Sequence, residues 1–180
     1  MNKNQTPYQF RILAISLSSR GFGYAVMEGD NALIFYGKKV IDDDKNVRSL
    51  AQIESIIARN QPDVLVLQDV NAKGTHRAPR IKELDRKVIA LAKKHRMRVA
   101  KVSGTELRSL LLGNESGTKQ EMAELLAKQF PNELASRLPP KRKAWTSEDT
   151  RMDIFDAVAL VVAFRVKTTN QAPILASDES

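Results

Sequence analysis

The chain has no cysteine, which excludes a disulfide framework, a thiolate metal site and a cysteine nucleophile. Its two histidines, His76 and His95, leave little room for a histidine-rich metal centre or a Ser-His-Asp relay. Aromatic residues make up only 6% of the sequence, with a single tryptophan, Trp145. Long hydrophobic runs are missing too. The longest strictly apolar segment, Ala157 to Phe164, falls far short of the roughly 20 residues that cross a bilayer as a helix. The opening MNKNQTPYQF has no apolar stretch of the kind a secretory leader carries. The expectation is a cytoplasmic protein with no membrane attachment. What is present suffices for one ordinary domain: 180 residues, 42% of them hydrophobic, enough to bury a core.

Acids are outnumbered. Lysine and arginine total 29 against 21 aspartates and glutamates, a net charge of +8. The excess is concentrated between Lys73 and Lys101, where eleven basic residues face only Glu83 and Asp85, a local charge of +9. The rest of the chain is close to neutral. Such a stripe is the electrostatic footprint expected of a protein that binds a phosphate backbone; a solvated helix face is the plainer reading.

Periodicity orders the elements. Arg11–Leu17, Phe22–Glu28 and Ala32–Val40 read as strands joined by the turns Ser18–Gly21 and Gly29–Asn31, an antiparallel meander. Asp42–Asp44 place three carboxylates before a helical pattern (Val47, Leu50, Ile53, Ile56, Ile57), where a helix dipole favours them. After the break at Asn60-Gln61-Pro62, Asp63–Gln68 is an apolar strand of the buried parallel type. A loop leads to a helix over about 79–95, then a fifth strand, Met97–Val102. Ser103 with Glu106 and Thr118 with Glu121 read as capping boxes. A stiff basic loop, Pro139–Trp145, precedes a last helix that Thr150 and Asp153 open and that runs to about Val166. Gly113–Gly117 reads as a linker. Residues 1–10 are expected to be an N-terminal extension, 11–166 the domain, and 167–180 a disordered tail. A meander followed by alternating helix and strand gives an α/β fold with a five-stranded mixed sheet flanked by helices, the order of the ribonuclease H-like fold.

Three segments carry a resemblance. Ile12–Gly29 (ILAISLSSRGFGYAVMEG) is similar to the opening of the RuvC-type Holliday-junction resolvases, whose first strand ends in an Asp before a small-residue turn with Arg. Pro62–Val70 (PDVLVLQDV) is similar to the family's fourth strand, which ends in a catalytic Glu. Arg151–Phe164 (RMDIFDAVALVVAF) is similar to a last helix with two Asp three residues apart. The stretches TKQEMAELLAKQFP and LPPKRKAW resemble a bacterial branch of RuvC-like proteins of uncertain role. The resemblance covers roughly residues 11–166. It implies a homodimer, DNA as substrate, and hydrolysis by two divalent ions, Mg²⁺ or Mn²⁺, about 4 Å apart, held by four carboxylates.

Two of the four positions are changed. Ser16 stands where the first Asp is expected and Gln68 where the Glu is expected, while Asp153 and Asp156 match the last pair. Asp69 lies next to Gln68, but strand alternation points it to the opposite face unless a bulge re-aims it. Asp153 and Asp156 also have a plain reading as first-turn acids, although the AVALVVAF that follows argues for partial desolvation. The expectation is a RuvC-like nucleic-acid-binding protein, DNA favoured, that has lost most catalysis, with Asp153, Asp156 and Asp69 as remnants. Two other readings stay open: an active magnesium-dependent resolvase-type endonuclease, and a non-catalytic partner subunit of a nucleic-acid-processing assembly. An actin-like ATPase shares the strand meander but needs two such lobes and phosphate loops that are absent from this sequence. Expected nucleic-acid contacts are Arg20, Lys73, Arg77, Arg80, Lys93, Lys94, Arg96, Lys141, Arg142, Lys143 and Trp145. Trp145 reads equally as a base-stacking group or as an anchor that docks its loop. Phe22 and Tyr24 read as core, and His76 as a solvated loop residue.

Overall fold

A computed structural model describes residues 9–171. The meander forms as the alternation predicts: β1 (Arg11–Ser18), β2 (Gly21–Glu28) and β3 (Ala32–Val40) pair antiparallel in sequence. Gly29 turns the second hairpin at φ +60°, a conformation that costs a residue without Cβ nothing. Helix α1 (Lys45–Asn60) then carries the chain across, so that β4 (Val64–Gln68) lies parallel to β1 on its free side. Helix α2 (Pro79–Lys94) leads to β5 (Arg98–Val102), parallel to β4. The strand order is β3-β2-β1-β4-β5. Helices α3 (Gly104–Leu112), α4 (Lys119–Gln129), the short α5 (Pro131–Leu134) and α6 (Met152–Gln171) follow. Among the described residues no helix is long and apolar enough to cross a membrane.

Strand alternation divides the core between the two faces of the sheet. Leu13, Ile15 and Leu17 of β1, with Leu65 and Leu67 of β4, meet Ile53, Ile57, Leu84 and Val88 of α1 and α2. Ile12, Ala14, Val64 and Val66 point the other way, onto α6. Helix α6 is apolar on nearly every side because it is central: the sheet covers one flank and α3 and α4 cover another. Phe155, 2% exposed, is one of several α6 side chains whose burial stabilises the fold by roughly 1.5–3 kcal/mol each.

Three expectations about helix ends need correction, and a further one, the Ser103–Glu106 capping box, is half met: Ser103 accepts the Glu106 amide, but the Glu106 carboxylate pairs with Lys167. Asp42–Asp44 do not enter the first turn of α1. Asp44 takes the N-cap position at φ 42° and makes no side-chain cap, and Asp43 pairs instead with Arg48 at 3.1 Å; side-chain caps need the extended backbone that Asp44 lacks. Helix α6 does not stop at Val166. Thr168 Oγ1 donates to the Phe164 carbonyl at 3.0 Å and Lys167 pairs with Glu106 at 2.6 Å, so the last turn is held to Gln171. The rest of the expected tail, and the extension before residue 9, fall outside the described residues. The third correction, at Thr150, belongs to the site.

Packing of α6 on β2 requires Gly23. A Cβ there would overlap the carbonyl oxygen of Asp153, and backbone cannot yield as a side-chain tip can. Gly23→Ala is expected to lose roughly 1–3 kcal/mol of stability by overpacking, seen as a lower denaturation midpoint in urea; an unchanged midpoint would contradict this contact.

Candidate functional site

The close approach at Gly23 sets the first turn of α6 over the ends of β1 and β2. Asp153 and Asp156, three residues apart, share one side of that turn. Ser18, the last residue of β1, donates its hydroxyl to Asp153 Oδ2 at 3.1 Å. Asp153 is therefore not the partner of a Thr150 capping box. The Thr150 hydroxyl instead accepts from the Lys38 ammonium. Arg20, in the β1–β2 turn, donates to the backbone carbonyl of Glu148 at 2.6 Å and so ties the preceding loop to the same place. Glu148, Asp153 and Asp156 each present a carboxylate oxygen within 4.8 Å of the others, the one such group among the described residues.

A cation already stands among them. Lys119 Nζ donates to Asp156 Oδ2 at 2.9 Å and to Glu148 Oε1 at 3.0 Å. Burial would lower the pKa of this ammonium, but the two carboxylates override it and raise the value. Asp153 and Asp156 are both raised, first by desolvation; the Ser18 hydroxyl opposes the shift at Asp153, and Lys119 opposes it at Asp156. Arg20 and Arg77 lie close enough to favour the charged forms of Asp153 and Asp156 respectively. Three carboxylates thus face three fixed cations.

The remaining two positions are neutral. Ser16 lies in β1 opposite Gly23 and is 4% exposed. Gln68, the last residue of β4, gives its Oε1 to the Arg77 guanidinium at 2.7 Å. Asp69 does not join the cluster. The β4–β5 register runs without a bulge to the Gln68–Val102 pair, and Asp69 Oδ1 accepts the Asn71 amide at 3.0 Å in a local turn. A two-metal centre needs anionic oxygens free to replace water around each ion. Here two of the three carboxylates are bound by Lys119 and the Gln68 carbonyl is bound by Arg77, so with Lys119 in place the residues present do not fit such a centre.

No family model matches the sequence, and no curated protein matches it. Solved structures do. The chain superimposes on Thermus thermophilus RuvC with a TM-score of 0.67 over 90% of its own length and 97% of the other chain, at 13% identity. T. thermophilus RuvC in complex with a Holliday junction substrate gives 0.66, at 12% identity, over 90% and 96% of the two chains. The fold is that of RuvC. The mixed five-stranded sheet with flanking helices expected from element order is thereby borne out.

On this RuvC fold the basic residues do not make one stripe. Helix α2, 16 residues, is about 24 Å long, and it runs back from the end of β4 to the start of β5. Lys73, Arg77 and Arg80 sit at its cluster end; Lys93, Lys94 and Arg96 sit at the far end. Arg80 is committed to structure through Asn46 Oδ1 and the carbonyls of Ser18 and Ser19, as is Lys101 through the buried Asp85 at 2.8 Å. Lys73, Lys93 and Arg96 are exposed, as is Lys94 despite a 3.6 Å pairing with Glu54. Beside the cluster, a cleft of about 1160 Å³ is lined by Arg20, Lys119, Lys141, Arg142, Lys143 and Trp145 among others. Trp145 is 82% exposed, so it does not anchor its loop to the core. His76 is exposed and Phe22 and Tyr24 are buried, as the sequence suggests.

Glu148 and Lys119 are the residues that sequence reasoning missed. Lys119 carries a local clue. It is the first residue of α4, directly after the Thr118 cap, where a helix dipole disfavours a cation; a lysine there calls for an acidic partner from elsewhere. Glu148 offers no comparable signal.

The raised carboxyls fix a pH dependence. A carboxyl whose folded pKa exceeds its unfolded value, 3.8 for Asp, binds protons more tightly in the folded chain. Its contribution is fully present below the unfolded value and is lost as pH rises through the folded one. Holding Asp153 ionised at neutral pH is therefore a cost. Asp153→Asn, which keeps an acceptor for Ser18, is expected to be more stable than the natural chain at pH 7, by a margin that shrinks as pH falls towards 4. Urea melts at the two pH values check this; a margin that grows in acid would reverse the assignment.

Proposed function

We propose that the protein binds nucleic acid, DNA in the first instance, through the cationic surface around the cluster, and that it does not cleave it. The observation that carries this reading is the Lys119 ammonium bridging Asp156 and Glu148. It supplies from within the charge that metal ions would otherwise bring, in a site already short of two carboxylates at Ser16 and Gln68. The RuvC likeness extends over nearly the whole of both chains, and one of the matched structures is RuvC bound to a Holliday junction substrate. That likeness supports a branched DNA ligand; duplex DNA and a homodimer belong to the proposal through the sequence resemblance.

The chemistry of binding follows from the surface. Lys141, Arg142 and Lys143 are exposed and form no ion pair among the described residues, so phosphates need not displace an internal partner. The acids nearby are already engaged. Asp149 is held by Arg151, whose hydrogen bonds lower its pKa to about 2, and Glu148 by Lys119. The patch at Lys93, Lys94 and Arg96 is a separate contact for a ligand long enough to reach it.

One feature favours a second reading. Glu148 brings a third carboxylate to Asp153 and Asp156, which suits a divalent-metal nuclease in which Lys119 swings aside.

Binding to duplex and four-way-junction DNA is expected to fall steeply with salt, with a log-log slope of about −0.9 for each phosphate neutralised. Lys141→Glu with Lys143→Glu should weaken binding to all sequences alike and flatten the slope by about one per residue. Reversal at Lys93, Lys94 and Arg96 should weaken it less. Incubation with Mg²⁺ or Mn²⁺ should leave the DNA intact. Salt-independent affinity would remove the binding surface; nicking that disappears in Asp156→Asn would replace this reading with the second.

A further inference from the structure

Trp145 is the single tryptophan of the chain, and 82% of it faces solvent. So large an apolar ring is ordinarily buried. Pro139 and Pro140 stiffen the start of its loop, and the Thr146 amide and hydroxyl both bond the Lys143 carbonyl, at 3.1 and 2.9 Å, which closes the turn around it. The Lys143 ammonium sits 5.7 Å from the ring centroid. The ring borders the cleft of about 1160 Å³ between this loop and the first turns of α4 and α6. Sites for small ligands occupy roughly 300–1,000 Å³, so the space admits nucleotide-sized groups.

The charges of the cleft are unequal in availability. Two acids on its wall have cationic partners, Glu148 with Lys119 and Asp149 with Arg151, while Glu121 accepts the neutral Thr118 amide and Glu124 accepts from Gln120. Lys141, Arg142 and Lys143 are exposed and form no ion pair among the described residues, with the Lys143 ammonium over the indole ring and Lys141 near enough to Glu121 to favour its charged form. The combination is an exposed indole, with the Lys143 ammonium over its ring, beside exposed cations that form no ion pair among the described residues. In a duplex the faces of interior bases are covered by their neighbours, so away from duplex ends an indole face stacks on a base that is unpaired. An acidic peptide would satisfy the cations and leave the ring unused.

We propose that this cleft binds single-stranded nucleic acid, with a base stacked on Trp145 and flanking phosphates on Lys141, Arg142 and Lys143. The inference rests on the nucleic-acid-binding reading above and deepens it: the ligand includes an unpaired segment, such as the splayed strands of a branch point.

The lone tryptophan is its own reporter. Intrinsic fluorescence of the full chain is titrated with oligothymidylate, with an abasic backbone oligomer of the same length, with duplex DNA and with poly-glutamate. Oligothymidylate should quench the emission, and the abasic oligomer should bind with little quenching. Binding of labelled oligothymidylate, followed by anisotropy, should weaken roughly tenfold or more in Trp145→Ala and stay near the natural value in Trp145→Phe. Duplex affinity should be unchanged in both. Circular dichroism confirms folding of each variant. Duplex binding without any response to oligothymidylate, or an unaltered Trp145→Ala, overturns this inference alone. Absence of binding to every nucleic acid overturns it together with the preceding reading. Quenching by poly-glutamate that oligothymidylate cannot reverse would assign the cleft to an acidic protein partner.

Discussion

The contact between Gly23 and the Asp153 carbonyl decides where the chemistry of this protein can stand. Because β2 has no Cβ at that point, α6 can lay its first turn directly on the meander. Asp153 is then within reach of Ser18, and Asp156 within reach of α4. The same placement explains why α6 is so apolar beyond Asp156. From Ala157 to Phe164 every residue is buried, and the two acids sit where that buried helix meets water. Their raised pKa values are a consequence of this packing before they are a consequence of any function.

Desolvated carboxylates placed side by side need compensating charge. Here the chain supplies it from its own side chains. Lys119 comes from α4, Arg77 from the loop before α2 and Arg20 from the first turn, each from a different element. Ser16 and Gln68 add no charge beside the carboxylates. Gln68 accepts from Arg77 without adding a charge, and Ser16 leaves the space beneath α6 uncharged. Lys119 is about half exposed, so each of its pairs contributes no more than about 1 kcal/mol. The set matters more through occupancy of the site than through stability.

Much of the fold was legible because its signals are local. Alternation gave the meander, the apolar VLVL gave β4 as a strand buried on both faces, and the Thr118 capping box opens α4 with both reciprocal bonds formed. Gln68 at the end of β4 and the Asp153–Asp156 pair at the start of α6 were placed by order and spacing. The failures share a cause. Glu148 and Lys119 meet through packing across the chain, which no local period records. Thr150 looked like a cap because its partner Lys38 lies on β3. The basic stripe looked continuous because sequence neighbours along α2 stay neighbours on paper, whereas the helix carries its two ends to opposite ends of the strands.

The most direct test of a site neutralised from within is the effect of Mn²⁺ on thermal unfolding of the natural chain and of Lys119→Ala. A ligand that binds only the folded state stabilises it by about 2.7 kcal/mol at one hundred times its dissociation constant. The natural chain should show no such rise at millimolar Mn²⁺. Lys119→Ala, with its carboxylates released, should melt lower without metal and recover when Mn²⁺ is added. Equal stabilisation of both proteins by Mn²⁺ would contradict the account, because it would mean that the ammonium of Lys119 does not hold the place of an ion.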